Sequence, residues 1–281
     1  MRRSVRDILI FGIINYIKFF RAAKRAEHKL KFPHKLSIVA IAKNEGANFQ
    51  EWIEYHRIVG VEKFYIYDNE STDDTKKVLE PYIKSGVVEY TYFPGQKMQK
   101  PAYADGLKKC RFDTKWVALI DLDEFIVPIK HEKISDYLDE LPDDVGCVMV
   151  PWITYGSSGH QARPIGLVIE SYKMRSADFK LGNLAADKQC KSIINPRFAI
   201  RLNGVHIGSS ILKKIRSDVL RCNHYYSKSW EEFAARRSRG DVRFGNNYAQ
   251  ATFNKDLFDR INRDNFYDPI MDKYIPQLKT I

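Results

Sequence analysis

The run Trp116-Val117-Ala118-Leu119-Ile120-Asp121-Leu122-Asp123-Glu124-Phe125 constrains this chain more than any other stretch. Five largely apolar residues lead directly into three carboxylates, and the chain then turns apolar again through Ile126, Val127 and Pro128. Such a run reads as a strand buried on both faces, which belongs in an α/β sheet. In open sheets of that kind, ligands bind in the crevice beyond the carboxyl ends of the strands. Carboxylates crowded there raise one another's pKa unless a cation sits among them. Hard divalent ions, Mg²⁺ or Mn²⁺, are the natural occupants of an oxygen-rich site. A solvated acidic turn capping the strand is the plainer alternative.

The residues before this run set its context. Residues 36–42 read as a first core strand, broken by Lys43-Asn44-Glu45-Gly46. A helix over about 48–59 follows, with Phe49, Trp52, Ile53 and His56 at the spacing of a buried face. Residues 64–67 form a second strand, ending in Asp68-Asn69-Glu70-Ser71-Thr72-Asp73-Asp74-Thr75. A second helix should start near Ser71 or Thr72, where Asp73 and Asp74 suit the helix dipole. Residues 87–92 make a third strand and 102–110 a third helix. Strand and helix alternate four times, which predicts a mostly parallel sheet with helices on its faces.

Charge separates the chain into parts. Net charge is +11, but residues 1–35 hold ten Lys/Arg against Asp7 and Glu27, so the remainder is close to balanced. A general nucleic-acid surface is therefore not expected. Residues 8–20 are apolar yet too short to span a bilayer, which takes about 20 such residues. Charged residues follow with no cleavage site, so a signal peptide does not fit either. Residues 1–35 read as a basic amphipathic helix, placed either on an anionic membrane surface through residues 1–30 or on protein. Four scattered cysteines without a Cys-x-x-Cys pair suit a reducing cytoplasm. A main domain over 36–240 and a helical tail over 241–281 complete the division.

Three motifs in order carry a resemblance: Ala40-Ile41-Ala42-Lys43-Asn44-Glu45, then residues 67–75, then Asp121-Leu122-Asp123-Glu124-Phe125. Together they resemble nucleotide-sugar glycosyltransferases of the GT-A fold. They are similar to family 2 and closer to the family 92 (DUF23-like) branch, through Trp52-Ile53-Glu54-Tyr55-His56, Gly60-Val61 and the Asp-Glu-Phe after the acidic pair. Tyr155-Gly156-Ser157-Ser158-Gly159, Lys191-Ser192-Ile193-Ile194 and His224-Tyr225-Tyr226-Ser227-Lys228-Ser229 extend the match over residues 36–240. The resemblance implies a Rossmann-like α/β domain, a mostly parallel sheet flanked by helices, with a helical C-terminal part.

It also implies roles. Asn44 and Glu45 would approach a ribose, and Asp68 would accept a hydrogen bond from uracil, although its context also suits an Asx turn. Asp121 and Asp123 would hold Mn²⁺ or Mg²⁺ on the donor's diphosphate, with Glu124 structural. His224 would complete the coordination, with His206 competing. An inverting transfer needs a carboxylate base near the acceptor hydroxyl. The acidic pair that family 2 supplies is missing, so Glu170 and Asp187 are the candidates, ahead of Asp178. Glu170 follows the apolar run Leu167-Val168-Ile169 and reads as a strand end facing the site. No Gln-x-x-Arg-Trp signature of processive synthases is present, which favours single-residue addition.

The expected activity is transfer of a hexose, foremost galactose from UDP-galactose, onto a saccharide or glycolipid acceptor in surface polysaccharide or lipooligosaccharide synthesis. It would act at the cytoplasmic face of a membrane, with no nucleic-acid partner. A non-catalytic nucleotide-sugar-binding regulator and a metal-dependent nucleotidyltransferase or phosphohydrolase are the rivals.

Overall fold

A computed structural model describes residues 12–29, 31–177, 190–203 and 207–281. Asp178, Asp187, His206 and the first eleven residues lie outside the described residues. Helix α1 (Ile13–Lys29) lays Phe19, Phe20 and Ala23 against Phe198, Ile211 and Leu212. The Arg111 guanidinium stacks over Phe19 at 4.9 Å from the ring centroid. Part of the helix's apolar surface thus packs on the protein itself, while Lys18, Arg21 and Arg25 remain exposed.

Strands β1 (His34–Ala42), β2 (Lys63–Asp68), β3 (Val88–Tyr92) and β4 (Thr114–Leu119) are parallel, in the order β3-β2-β1-β4. Helices α2 (Gly46–Ile58), α3 (Thr75–Lys84) and α4 (Gln99–Lys109) connect them. This is the expected alternation. Helix α4 packs so closely on β1 that a Cβ at Gly106 would sit 2.4 Å from Val39 Cγ1. One boundary differs: α3 starts at Thr75, not near Ser71. The Ser71 N–H donates to Asp68 Oδ1 at 2.9 Å and the Thr72 N–H to Asn44 Oδ1 at 2.7 Å. Those residues form a turn that joins the β1 and β2 loops before the helix can begin.

Beyond β4 the sheet is mixed. The chain adds β5 (Glu124–Pro128), α5 (Ile134–Asp139), β6 (Val145–Thr154), the short α6 (Val168–Ser171) and β7 (Met174–Arg175). It continues through β8 (Cys190–Ile194), β9 (Ala199–Asn203), β10 (Ile207–Ser210), β11 (Lys213–Arg216) and β12 (Leu220–His224). The sheet runs on as β4-β8-β6-β12-β5, with β11 also on β6. β8 is antiparallel to β4 and β6, and β12 is parallel to β6 but antiparallel to β5.

Curvature follows from the connectivity. In that order β4 and β5 stand four strand spacings apart, about 19 Å in a flat sheet. Only residues 120–123 join them, and part of that link is a turn closed by the Glu124 N–H on the Asp121 carbonyl at 3.1 Å. A five-residue step reaches about 17 Å only when fully extended. The sheet must therefore curl, and the acidic turn bridges its open side.

The C-terminal residues form α7 (Trp230–Arg239), α8 (Asn246–Thr252) and α9 (Lys255–Ile261), which share a small core of Phe233, Ala249, Phe253 and Phe258. Ser229 and Glu232 make a reciprocal capping box at the start of α7. Strand β13 (Phe266–Tyr267) then pairs with β7.

Helix α2 carries the branch motif on its inner face. His56 is fully buried, and the Ile126 N–H donates to its Nε2 at 3.3 Å, so Nδ1 carries the proton and donates to the Trp52 carbonyl at 2.8 Å. Burial pushes the imidazole down from 6.5 to about 3, against the raising effect of the Trp52 carbonyl. A folded-state pKa below the unfolded one gives stability that is complete above about pH 6.5 and lost as pH falls toward 3. The stability advantage of wild type over His56→Gln should therefore shrink by about 1.4 kcal/mol per pH unit below 6.5. Urea unfolding at three pH values between 7.5 and about 5 checks this. A difference independent of pH would rule out a buried neutral ring.

Candidate active site

The acidic turn is held from beneath by one lysine. Lys191, opening β8, is fully buried, with Nζ 2.7 Å from Asp121 Oδ2 and 2.8 Å from Glu124 Oε2. Gln99 Nε2 and the Tyr103 hydroxyl both donate to Asp121 Oδ1 at 2.7 Å. The Asp121 N–H donates to Glu124 Oε2 at 2.9 Å. Burial works against the ammonium of Lys191, but Asp121 and Glu124 raise its pKa above the usual lysine value.

Strand register delivers the histidine. β12 pairs with β5 so that His224 stands opposite Glu124, and the Tyr225 N–H donates to the Asp123 carbonyl at 2.8 Å. His224 Nε2 lies 3.5 Å from Asp123 Oδ2 and 3.8 Å from Glu124 Oε1. Arg236 Nη2 is 3.2 Å from the same Asp123 oxygen. Burial disfavours ionisation of Asp123, yet His224 and then Arg236 hold its carboxyl well below the usual range. Glu124 goes the other way: burial, with Asp121 and Asp123 nearby, pushes it up to about 7 despite Lys191.

Asp123, Glu124 and His224 together can hold a metal ion, their ligand atoms lying within 4.8 Å of one another. Glu124 Oε1 is buried and has no hydrogen-bond partner among the described residues. A cation would satisfy it, and a set of two carboxylates and one imidazole suits Mn²⁺ or Mg²⁺. The sequence-derived set was Asp121, Asp123 and His224. In the structure Asp121 is bound by Lys191, Gln99 and Tyr103, and Glu124 takes its place in the cluster.

Three buried side chains of α2 position that turn. Trp52 Nε1 donates to the Glu124 carbonyl at 2.8 Å and the Tyr55 hydroxyl to the Ile126 carbonyl at 3.0 Å. With His56, they fix both ends of the peptide stretch that carries the Glu124 side chain. The spacing of Trp52 and His56 was legible as a core face, which did not include Tyr55; the bonds of all three to the β5 backbone were not legible.

A cavity of about 590 Å³ opens beside the cluster, walled by Asp121, Asp123, His224 and residues of the C-terminal helices. Glu45 lines it, pairing with Arg239 and accepting from Asn48 Nδ2 at 2.5 Å. Asn44 does not line it; with φ +53 it turns its side chain to the Thr72 N–H. Asp68 is also off the wall, its carboxylate accepting from the Tyr90 hydroxyl at 2.6 Å and from the Ser71 N–H. The Asp68 side chain thus caps a local turn, accepting from a backbone N–H three residues on.

Glu170 needs correction as a base candidate. It lies in α6, pairs with Lys279 at 2.5 Å, and does not line the cavity. The Val168 and Ile169 N–H groups donate to the Glu51 carboxylate, starting a helical turn where the apolar run suggested a strand end. Asp187, the other candidate, falls outside the described residues. Arg236 and Arg239, three apart on α7, reach Asp123 and Glu45 respectively. The C-terminal stretch read as a plain helical tail supplies much of the cavity wall.

A curled α/β sheet with a carboxylate–histidine cluster at the ends of its strands is the GT-A architecture of nucleotide-sugar transferases. Comparison with known proteins agrees with this class. The family model described as glycosyltransferase family 92 matches residues 39–264. The chain belongs to glycosyltransferase family 92. A family 92 protein of Oryza sativa subsp. japonica is 27% identical over 217 residues, covering 74% of this chain and 36% of that protein. The beta-1,4-galactosyltransferase galt-1 of Caenorhabditis elegans is 26% identical, covering 68% of this chain and 48% of its own. The chain thus spans less than half the length of these relatives. Among solved structures, S. aureus TarS in complex with UDP is similar at 13% identity, covering 58% of this chain and 47% of that one, with a TM-score of 0.38. Glucosyl-3-phosphoglycerate synthase of Mycobacterium tuberculosis, solved with Mn²⁺ and UDP, aligns at 17% identity over 46% of this chain and 47% of that one, with a TM-score of 0.30.

Proposed function

We propose that this chain is a metal-dependent inverting hexosyltransferase that takes its sugar from a UDP-hexose, foremost UDP-galactose. The observation that carries the reading is the Asp123–Glu124–His224 cluster: Asp123 and His224 line the cavity, and behind them the buried Glu124 Oε1 has no hydrogen-bond partner among the described residues. Mn²⁺ or Mg²⁺ bound there supplies positive charge where the leaving diphosphate gains negative charge. Arg236 and Arg239 face the same region and hold further donor phosphate charge. Lys191 keeps the turn in one conformation. Kinship with the nematode galactosyltransferase supports galactose. Asp187 stays the candidate base, and the acceptor is a saccharide or glycolipid of surface polysaccharide or lipooligosaccharide synthesis.

Titration calorimetry with UDP tests the donor reading. Binding should require Mn²⁺ or Mg²⁺ and should disappear in Asp123→Ala. No binding of UDP to folded protein under either condition would remove the uridine donor.

Peripheral contact with the inner face of a membrane is part of the proposal. No described helix is long and apolar enough to cross one. The exposed Lys18, Arg21 and Arg25 of α1 are suited to anionic lipid, each contributing about 1 kcal/mol near such a surface. Reversing all three to glutamate should release the protein from phosphatidylglycerol vesicles and leave turnover on a soluble acceptor unchanged. Undiminished vesicle binding would sink the membrane role.

A further inference from the structure

The side chains expected at the donor's ribose are committed elsewhere. Asn44 turns to the Thr72 N–H and lies off the cavity wall. Glu45 is on the wall, but Arg239 takes one of its carboxylate oxygens and Asn48 the other. Asp121 gives Oδ2 to Lys191 and Oδ1 to Gln99 and Tyr103.

Among the described residues, four carboxylates line the cavity, and three of them meet a cation. Glu45 meets Arg239, Asp121 meets Lys191 and Asp123 meets Arg236. The fourth is Asp241. Its Oδ1 accepts from the Arg243 N–H at 2.8 Å and the Phe244 N–H at 2.6 Å. Its Oδ2 has no hydrogen bond or ion pair among the described residues.

We infer that Asp241 recognises the ribose of the donor, its carboxylate accepting from the 2′- or 3′-hydroxyl of a ribonucleoside diphosphate. The inference rests on the donor reading above and deepens it.

Asp241 lies on a strap, residues 240–245, between α7 and α8, and that strap is pinned at the β1 end of the cavity. The Gln99 N–H donates to the Val242 carbonyl at 3.0 Å, and the Val242 side chain packs on the core that holds Val39 and Ile41. Arg239, just before the strap, is tied to Glu45, just beyond β1. The Gly245 N–H closes the strap on the Asp241 carbonyl at 2.8 Å. Gly245 holds φ +91 there, and a Cβ on it would stand 2.8 Å from Gln96 Oε1. The carboxylate is thus carried on a loop of fixed shape.

β1 is the direct neighbour of β4, so this end stands one strand spacing, about 4.8 Å, from the acidic turn. With a cation gripping the diphosphate at that turn, the next group along a nucleotide is its ribose. A base for the acceptor hydroxyl belongs instead beyond the transferred sugar, on the far side of the cation.

An ionised carboxylate only accepts hydrogen bonds, so it repels phosphate and selects a group that donates. Both vicinal hydroxyls of ribose donate, and dinucleotide-binding sheets place a carboxylate on them in the same way. The local turn occupies Oδ1 alone, which leaves Oδ2 for the ligand.

Titration calorimetry of the full chain with Mn²⁺ compares UDP, 2′-deoxy-UDP and 3′-deoxy-UDP. At least one deoxy analogue should bind wild type about tenfold more weakly than UDP, the loss of one charge-assisted hydrogen bond. The analogue that loses affinity names the hydroxyl, and loss with both shows a shared diol. Asp241→Asn keeps an oxygen for the Arg243 and Phe244 N–H groups, so the melting temperature should hold. It puts an amide nitrogen where Oδ2 stood, so the preference for UDP over that analogue should fall below about threefold. Because the preference is a ratio within one protein, partial unfolding of the variant does not imitate the effect. Equal binding of UDP and both analogues to wild type, or a preference undiminished in Asp241→Asn, overturns the inference while UDP binding stands. Failure of UDP to bind wild type overturns the donor reading and this inference together.

Discussion

Replacing Lys191 by methionine is expected to cost about 3–5 kcal/mol of folding stability, the usual effect of breaking a buried ion pair from one side. The Nζ atom is fully buried and serves Asp121 and Glu124 at once. Without it the fully buried Glu124 loses its lysine, and Asp121, a quarter exposed at the cavity wall, loses the ammonium that stands 2.7 Å from it. A domain with about 5–15 kcal/mol to lose would be left close to its threshold. Adding Asp121→Asn and Glu124→Gln to the same variant should restore most of the stability, since the amides carry no charge to strand. Urea unfolding of the single and triple variants decides it. A single variant within 1 kcal/mol of wild type would show that the lysine does not hold the turn.

The second large effect concerns which carboxylates serve the proposed cation site. Glu124→Gln and His224→Ala are each expected to lower turnover by on the order of 10²–10³ and to weaken the response to Mn²⁺. Asp121→Asn should slow the enzyme too, through a loosened turn, but keep its Mn²⁺ dependence, because Asp121 is taken up by Lys191, Gln99 and Tyr103. Manganese titrations of activity separate the cases. If Asp121→Asn abolishes the metal response and Glu124→Gln does not, the ligand set assigned from the geometry is wrong.

That contrast also shows where the sequence was informative. The four parallel strands and their helices were legible because each is a local pattern: an apolar run, a break, an amphipathic segment. The acidic turn was legible for the same reason, as carboxylates after a buried strand. His224 was reachable only through resemblance, since nothing local distinguishes it; strand register places it opposite Glu124. Lys191 left a faint trace, a lysine at the head of the apolar run Ser192-Ile193-Ile194, but its carboxylate partners lie about 70 residues upstream and cannot be inferred from spacing. Glu170 misled because an apolar run followed by an acid looks alike whether it ends a strand or begins a helical turn. The arginines of α7 fitted a phosphate contact or a solvated helix face equally well, and only tertiary packing shows Arg236 and Arg239 in the cavity wall.

The bridging of the curled sheet by the acidic turn has a consequence for biosynthesis. The turn emerges early, yet the histidine opposite it comes some 100 residues later, after β8, β6 and β12 have been supplied. Contacts of such sequence separation form late, because loop closure precedes any gain from them. A nascent chain that has not reached His224 carries the carboxylates without the cluster. On the proposed function, it would bind neither cation nor donor until the whole sheet is in place, and binding of a sugar nucleotide would then report completed folding.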